Sequence, residues 1–179
     1  MSNSVLNSNT SCRETILNTI IKKPTTFMKL VRESGCASET VEKYVNIHLN
    51  ENKINQKKGK FRIIYSPKIN PVELEFYQLM LNPTIKAVVL VLLKSKPLSQ
   101  VELVAIIDKS NPSVSRSLKI LFERKIIKRN YDAPFSTYEI IEKSKLISIL
   151  KTTNPAIADN FDQFDICYPK PSIFLSIHD

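Results

Sequence analysis

Four polar side chains that could bind an anion lie close together in the stretch 111–121, which reads NPSVSRSLKIL. Ser113 and Ser115 carry hydroxyl groups that can donate hydrogen bonds. Arg116 carries a guanidinium fork that fits a phosphate or the O6/N7 edge of guanine, and Lys119 carries an ammonium that suits a phosphate. These residue types predict a surface that binds a polyanion, provided that the chain holds them outward.

The apolar residues of the same stretch predict that it is a helix. At 100° per residue, one sector collects the apolar side chains Val114, Leu118, Leu121 and Phe122. Arg116 points nearly opposite this sector, and Lys119 lies nearby. Ser113 falls in the first turn, after an expected cap at Asn111-Pro112, where the helix dipole favours a phosphate. Many solvent-facing helices carry a cationic face, so the helix alone leaves both interpretations open.

The stretch belongs to a repeat that appears when the sequence is shifted by 73 residues against itself. Apolar positions then meet apolar positions, and helix-start signals meet helix-start signals. Pairs that carry this match are Lys23-Pro24 with Lys96-Pro97, Thr26 with Ser99, Val41 with Val114, and Lys43 with Arg116. The repeat predicts two copies of one structural unit.

Each copy predicts a helix, a second helix, a turn, a third helix and a β-hairpin. The first helix covers 13–22 after a capping-box pattern of Ser11 and Glu14, and its counterpart starts at Asn82-Pro83. The second helices follow Thr26 and Ser99, and the third begin near residues 38 and 111. Strands at 53–56 and 61–65 form one hairpin. Strands at 126–129 and 137–141 form the second hairpin around YDAPFS. Its last strand aligns with the last strand of the first hairpin at a shift of 76 residues instead of 73.

This order of elements resembles the winged helix-turn-helix domain, present twice. The second copy resembles MarR-type and ArsR-type transcriptional regulators through SVSRSLKIL, followed by FERKIIKR, over about 83–141. The first copy matches the layout without that residue signature. The resemblance implies a mainly α fold with small β-hairpin wings (α+β), in two tandem winged helix-turn-helix domains. It also implies a DNA-binding transcriptional regulator with a recognition helix in the major groove.

The expected organisation has five segments. Residues 1–10 are a flexible N-terminus, and 11–66 form the first winged-helix domain. Residues 67–81 are a linker and connecting helix, and 82–141 form the second winged-helix domain. Residues 142–179 hold a C-terminal helix and an aromatic tail. The connecting helix, the C-terminal helix and the tail are candidate contacts of a homodimer.

The remaining candidate DNA-binding residues lie on the first copy and on the two wings. The third helix of the first copy offers Lys43, but Glu39 and Glu42 on the same helix oppose close approach to phosphate. The two hairpins are expected to grip the DNA backbone through exposed cations, or else to be ordinary solvated hairpins. These cations are Lys57, Lys58, Lys60 and Arg62 in the first copy, and Lys128 and Arg129 in the second.

The distribution of charge favours a nucleic-acid partner. The net charge is +9, and it concentrates in residues 1–70 (12 basic, 5 acidic) and 94–129 (9 basic, 3 acidic). We therefore expect double-stranded DNA as the partner. No signal peptide or membrane-length apolar run is visible, and the three cysteines are far apart, with no disulfide framework. These features predict a cytoplasmic protein, associated with the nucleoid if prokaryotic, without a membrane partner.

Residues for catalysis or for a cofactor are not grouped in this sequence. The three cysteines and two histidines show no metal-ligand spacing, and the two glycines are isolated, so no phosphate-cradling loop is expected. His48 aligns with Leu121 on the buried side, and Cys36 is expected to be buried. We expect no enzyme activity, no metal and no cofactor.

Two other functions stay open from the sequence. Tandem winged helices also serve as protein-interaction modules of ESCRT-, condensin- or polymerase-associated type, which Glu39 and Glu42 would suit. Plasmid or viral replication initiators use the same pair of domains.

Overall fold

A computed structural model describes residues 3–132 and 135–154, and its elements are mostly helices. In chain order they are α1 (Asn3–Lys22), β1 (Thr25–Thr26), α2 (Phe27–Ser34), α3 (Ser38–Asn50), β2 (Asn55–Lys57), β3 (Ile63–Tyr65), α4 (Pro71–Met80), α5 (Pro83–Lys94), β4 (Leu98–Ser99), α6 (Gln100–Ile107), α7 (Asn111–Glu123), β5 (Ile127–Asp132), β6 (Phe135–Ile140) and α8 (Lys143–Thr153). The prediction of a mainly α fold with small antiparallel sheets is confirmed. The aromatic tail lies outside the described residues.

The same order of helices and strands occurs before and after α4. Each sheet has three antiparallel strands, in the order β1-β3-β2 and β4-β6-β5. The two-residue strands β1 and β4 are absent from the sequence-based prediction because so short a segment has no periodicity. They join each second helix to its hairpin and so fix the hairpin against the helices.

Most predicted helix starts are confirmed by their caps. The Thr26 side chain accepts a hydrogen bond from Lys29 N at 3.4 Å, and Ser99 forms a full capping box with Glu102. Asn82 Oδ1 accepts from Thr84 N at 2.9 Å. These side chains satisfy backbone N–H groups that the first helical turn leaves free.

Three local predictions are wrong. The helix α1 begins at Asn3, so Ser11 lies inside the helix rather than at its start. The cap of α7 is Ser110, and Asn111 is the first helical residue, with its side-chain oxygen accepting a hydrogen bond from Gln100. The second hairpin is also more regular than predicted.

The error in the second hairpin concerns both its loop and its register. Ladder pairs continue to Asp132 and Phe135, so most of the stretch read as a loop is strand. Thr25 pairs with Ile64 in the first sheet, and Leu98 pairs with Tyr138 in the second. Tyr138 is therefore the counterpart of Ile64, so the last strands of the two copies are offset by 74 residues and not by the predicted 76. Fewer apolar residues alternate here than in a half-buried strand, so the sequence pattern ends before the hydrogen bonds do.

The interior consists of two main apolar cores joined through α4. Ile16, Ile20, Val41, Val45 and Ile64 belong to the first core, and Val89, Leu103, Val114, Leu118 and Leu121 belong to the second. From α4, Leu74 and Tyr77 pack with Ile63 of the first half, while Phe76, Leu79 and Met80 join the second core. The connecting helix is therefore a shared part of both halves. Five apolar side chains of α4 are buried within the chain, as are Leu146 and Leu150 of α8, whereas Val72 at the start of α4 is 59% exposed.

A disulfide links α1 to the turn that precedes α3. Cys12 and Cys36 are bonded, with their Cα atoms 6.3 Å apart and a sequence separation of 24. The expectation that the cysteines form no disulfide is therefore wrong for this pair. Residues far apart in sequence meet because α1 packs on α2 and α3. Cys36 itself is buried, as predicted.

No single helix among the described residues is both long and apolar enough to span a membrane. The pair α4 and α5 would qualify only if taken together, and it bends by 107° at its break.

Candidate nucleic-acid interface

The helix α7 separates a buried apolar stripe from an exposed cationic face. Val114, Leu118 and Leu121 are buried, which fixes the rotation of the helix about its axis. Ser115, Arg116 and Lys119 are exposed as a result. Phe122 was predicted to join the stripe but is 51% exposed, because it lies at the edge of the apolar sector. The structure thus holds the predicted anion-binding side chains outward.

The first turn of α7 is less suited to phosphate than the sequence suggested. Pro112 has no N–H group, and the N–H group of Ser113 donates to Ser110 O at 3.0 Å. The Ser113 hydroxyl is half-buried and lies 2.9 Å from Ser110 Oγ. The exposed side chains of this helix are therefore better placed to bind a phosphate than the backbone of residues 112 and 113.

The two cations of α7 differ in their partners. Lys119 Nζ lies 3.9 Å from a Glu123 carboxylate oxygen, in an exposed pair that contributes little stability. Within the described part of the chain, Arg116 has no carboxylate at ion-pair distance. Both side chains can accordingly turn toward an external anion at small cost.

On α3, the equivalent face is partly neutralised by a contact to the first hairpin. Arg62 Nη1 donates to Glu42 Oε2 at 2.5 Å, and Arg62 Nε donates to Gln56 Oε1 at 2.9 Å. The hydrogen bond from Arg62 lowers the pKa of the Glu42 carboxyl below its ordinary value. The Arg62 guanidinium also lies 5.1 Å from the centre of the Phe27 ring. Arg62 therefore positions the hairpin on α3, while Lys43 stays exposed.

The tip of the first hairpin carries three exposed lysines, Lys57, Lys58 and Lys60. Lys60 lies 5.7 Å from the centre of the Phe61 ring. Over the described ranges, none of the three lysines has a carboxylate within 4 Å. Their positive charges are not compensated locally, so this tip is the most cationic part of the first half.

The second hairpin has two faces of different character. On one face, Lys128 Nζ lies 2.9 Å from Glu139 Oε1, and Asn130 Nδ2 donates to the same oxygen at 2.9 Å. The hydrogen bond from Asn130, and to a smaller extent that from Lys128, lowers the pKa of the Glu139 carboxyl below its ordinary value. On the other face, the Arg129 guanidinium lies 4.9 Å from the centre of the Tyr131 ring and 5.9 Å from that of Tyr138. The charge of Lys128 is therefore compensated by a carboxylate, whereas the guanidinium of Arg129 makes cation–π contacts with two aromatic rings.

Two exposed aromatic residues at this tip were given no role from the sequence. Tyr131 is 79% exposed and Phe135 is 66% exposed. The spacing of Arg129 and Tyr131 by two residues could have indicated a shared strand face, had the strand been predicted beyond residue 129.

Comparison with known proteins gives no family for this chain. No family model matches it, and no curated protein matches it. Among solved structures, it is similar to Rv0081 from M. tuberculosis, with 16% identity over 53% of this chain and 97% of that chain, at a TM-score of 0.41. It is also similar to the DIP2311 protein from Corynebacterium diphtheriae, with 12% identity over 73% of this chain and 26% of that chain, at a TM-score of 0.32. Neither likeness is close enough to bear on function.

Proposed function

We propose that this chain is a DNA-binding protein of two tandem winged helix-turn-helix domains that acts as a transcriptional regulator. The order of helices and strands, the same before and after α4, supports the two domains. In this proposal α3 and α7 are the recognition helices, and the hairpins β2–β3 and β5–β6 are the wings.

The observation that carries the proposal is the positive charge of Arg116 on α7 and of the three exposed lysines on the first wing, which have no carboxylate within 4 Å among the described residues. An α-helix fits the major groove of B-DNA, where a guanidinium can bind guanine O6 and N7. Arg116 takes this role or binds a phosphate, and Lys119 and Ser115 bind the backbone. On the first wing, Lys57, Lys58 and Lys60 bind phosphates at a second position along the DNA. This mechanism requires no cofactor and no catalytic residue.

The shared helix α4 sets the distance between the two domains. Tyr77 is buried against the first domain, and Phe76 is buried in the second core. A hinge at α4 would expose both side chains to water, which is unfavourable. The two domains therefore bind DNA at one preferred spacing.

A protein-interaction module is the second candidate, and two observations favour it. Glu42 on α3 is paired with Arg62 of the first hairpin, and Phe122 exposes an aromatic ring on α7. Under this alternative the helices α3 and α7 pack on a protein partner. The two candidates differ in their response to salt and to DNA sequence.

A fluorescence-anisotropy titration of labelled duplexes over a range of salt concentrations tests the proposal. The Arg116→Ala/Lys119→Ala variant should lose its preference between duplexes and should reduce the slope of log K against log salt. Each lost phosphate contact lowers that slope by about 0.9. Lys145→Ala is the matched control, because it removes an exposed charge from α8, where it pairs with Glu142.

The outcomes separate the two candidates. If the unaltered protein binds no duplex at low salt, the DNA-binding proposal is wrong and the protein-interaction module is favoured. If the double variant keeps the preference of the parent for one duplex, the assignment of α7 as the recognition helix is wrong.

A further inference from the structure

The tip of the second wing combines exposed aromatic rings with a cation. The ladder pairs Arg129 with Tyr138 and Tyr131 with Ser136, so Arg129, Tyr131 and Tyr138 share one face of the hairpin. Phe135 lies opposite Asp132 at the last ladder pair, on the other face. We call Arg129, Tyr131, Phe135 and Tyr138 the aromatic tip. It is a small surface with aromatic groups on both faces of one strand pair.

Two rings of the aromatic tip, Tyr131 and Phe135, contribute little to the packing of the fold, whereas Tyr138 packs against the second core. Further down the same face, Ile127 and Ile140 are buried in the second core, whereas Tyr131 and Phe135 are mostly exposed. Exposing aromatic carbon to water is unfavourable, so these rings are well placed to gain from covering by a partner.

The positive charge of the aromatic tip points to an anionic partner. Arg129 lies between two rings, and among the residues whose side chains the structure describes, 12–131 and 135–154, no carboxylate lies within 4 Å of it. Its N–H groups therefore remain able to donate to a phosphate while the guanidinium stays stacked. Lys128 on the other face lacks this freedom because it is paired with Glu139.

A nucleobase beside its phosphate satisfies both requirements. Every base has a flat π-face that stacks on an aromatic side chain, and the adjoining phosphate can accept hydrogen bonds from an arginine. Base faces inside a B-form duplex are covered by their neighbours, so rings can reach them only where bases are unpaired. The first wing, with Lys57, Lys58 and Lys60, offers phosphate contacts with less aromatic surface.

We infer that the aromatic tip of the second wing binds unpaired bases of DNA next to the duplex held by α7. This inference rests on the proposed DNA binding and adds to it a preference for DNA that contains unpaired bases. The protein should bind a duplex with a short internal bubble more tightly than the same duplex fully paired. Tyr131 and Phe135 supply the stacking rings, and Arg129 binds the adjoining phosphate.

The test compares the affinities for bubble and paired duplexes by fluorescence anisotropy at one salt concentration. The Tyr131→Ala/Phe135→Ala variant should lose at least about fivefold in affinity for the bubble, the lower end of what one stacked base contributes. Its affinity for the paired duplex should be unchanged. The matched control Tyr131→Phe/Phe135→Tyr keeps both rings and should bind the bubble like the parent. A 2-aminopurine in the bubble should change fluorescence on binding the parent and the control only.

Three results would overturn the inference. The first is equal binding of bubble and paired duplexes by the parent protein. The second is loss of affinity for both duplexes by the same factor in the alanine variant, which would give the rings a role on ordinary duplex. The third is failure of the ring-keeping control like the alanine variant, which would exclude stacking as the cause. Failure of the parent to bind any DNA is a different result, because it removes the proposed function itself.

Discussion

Reduction of the Cys12–Cys36 disulfide should destabilise the first half of the chain. The bond closes a loop with 24 residues of sequence separation, and it fastens α1 to the turn before α3. Closing a loop of about 24 residues removes chain entropy from the unfolded state worth about 3.5 kcal/mol at 25 °C. With a urea dependence of about 2 kcal/mol per molar, the unfolding midpoint should fall by about 1.7 M on reduction.

Urea unfolding followed by circular dichroism, with and without reductant, measures this shift. The Cys12→Ala/Cys36→Ala variant should unfold at the same urea concentration under both conditions, whereas Cys167→Ala should respond to the reductant like the parent. Thiol titration of the denatured, unreduced protein should find one free cysteine of the three. An equal midpoint for the parent in both conditions, with the bond shown to be present, would refute the entropic reasoning.

Two further predictions concern acid stability and the shared helix. Hydrogen bonds from Lys53 and His48 lower the pKa of Glu51 from 4.5 to about 2, so its stabilising effect is present above pH 4.5 and lost as the pH falls toward 2. Thermal unfolding across this window should show Glu51→Gln less stable than the parent near neutral pH and equal to it near pH 2; a constant difference would contradict the linkage. Tyr77→Ala should lower the free energy of unfolding by about 3–5 kcal/mol, because Tyr77 is 2% exposed between α4 and β3. Tyr77→Phe keeps the ring and should cost much less, and equal losses for both variants would show that packing of the ring is not the cause.

The contacts of Arg62 show why a residue's type does not decide its role. The sequence groups Arg62 with the lysines of the first hairpin because the stretch 53–62 holds five basic residues and no acidic one. Its contacts with Glu42 and Gln56 give it a structural task, and these partners lie 20 and 6 residues away in sequence. Long-range contacts of this kind are not encoded in local spacing, so the sequence could not separate Arg62 from Lys57 and Lys58.

Helix positions, in contrast, could be predicted closely from the sequence. The third helices were expected near residues 38 and 111, and they begin at Ser38 and Asn111. The second helices follow Thr26 and Ser99 as predicted, because a cap side chain bonds to N–H groups only two or three residues away. The apolar stripe of α7 followed equally from periodicity, except for Phe122 at its edge.

The sequence by itself determined most of the helices, the caps at Thr26, Asn82 and Ser99, and the exposed cations of α7, because each depends on residues within one or two turns. Tertiary structure alone decided the Cys12–Cys36 bond, the burial of α4 between two cores and the faces of the second hairpin. The aromatic tip is the clearest case. Tyr131 and Arg129 share a face with Tyr138 only because the strand ladder continues beyond the apolar pattern, and backbone hydrogen bonds, unlike side-chain burial, leave no period in the sequence.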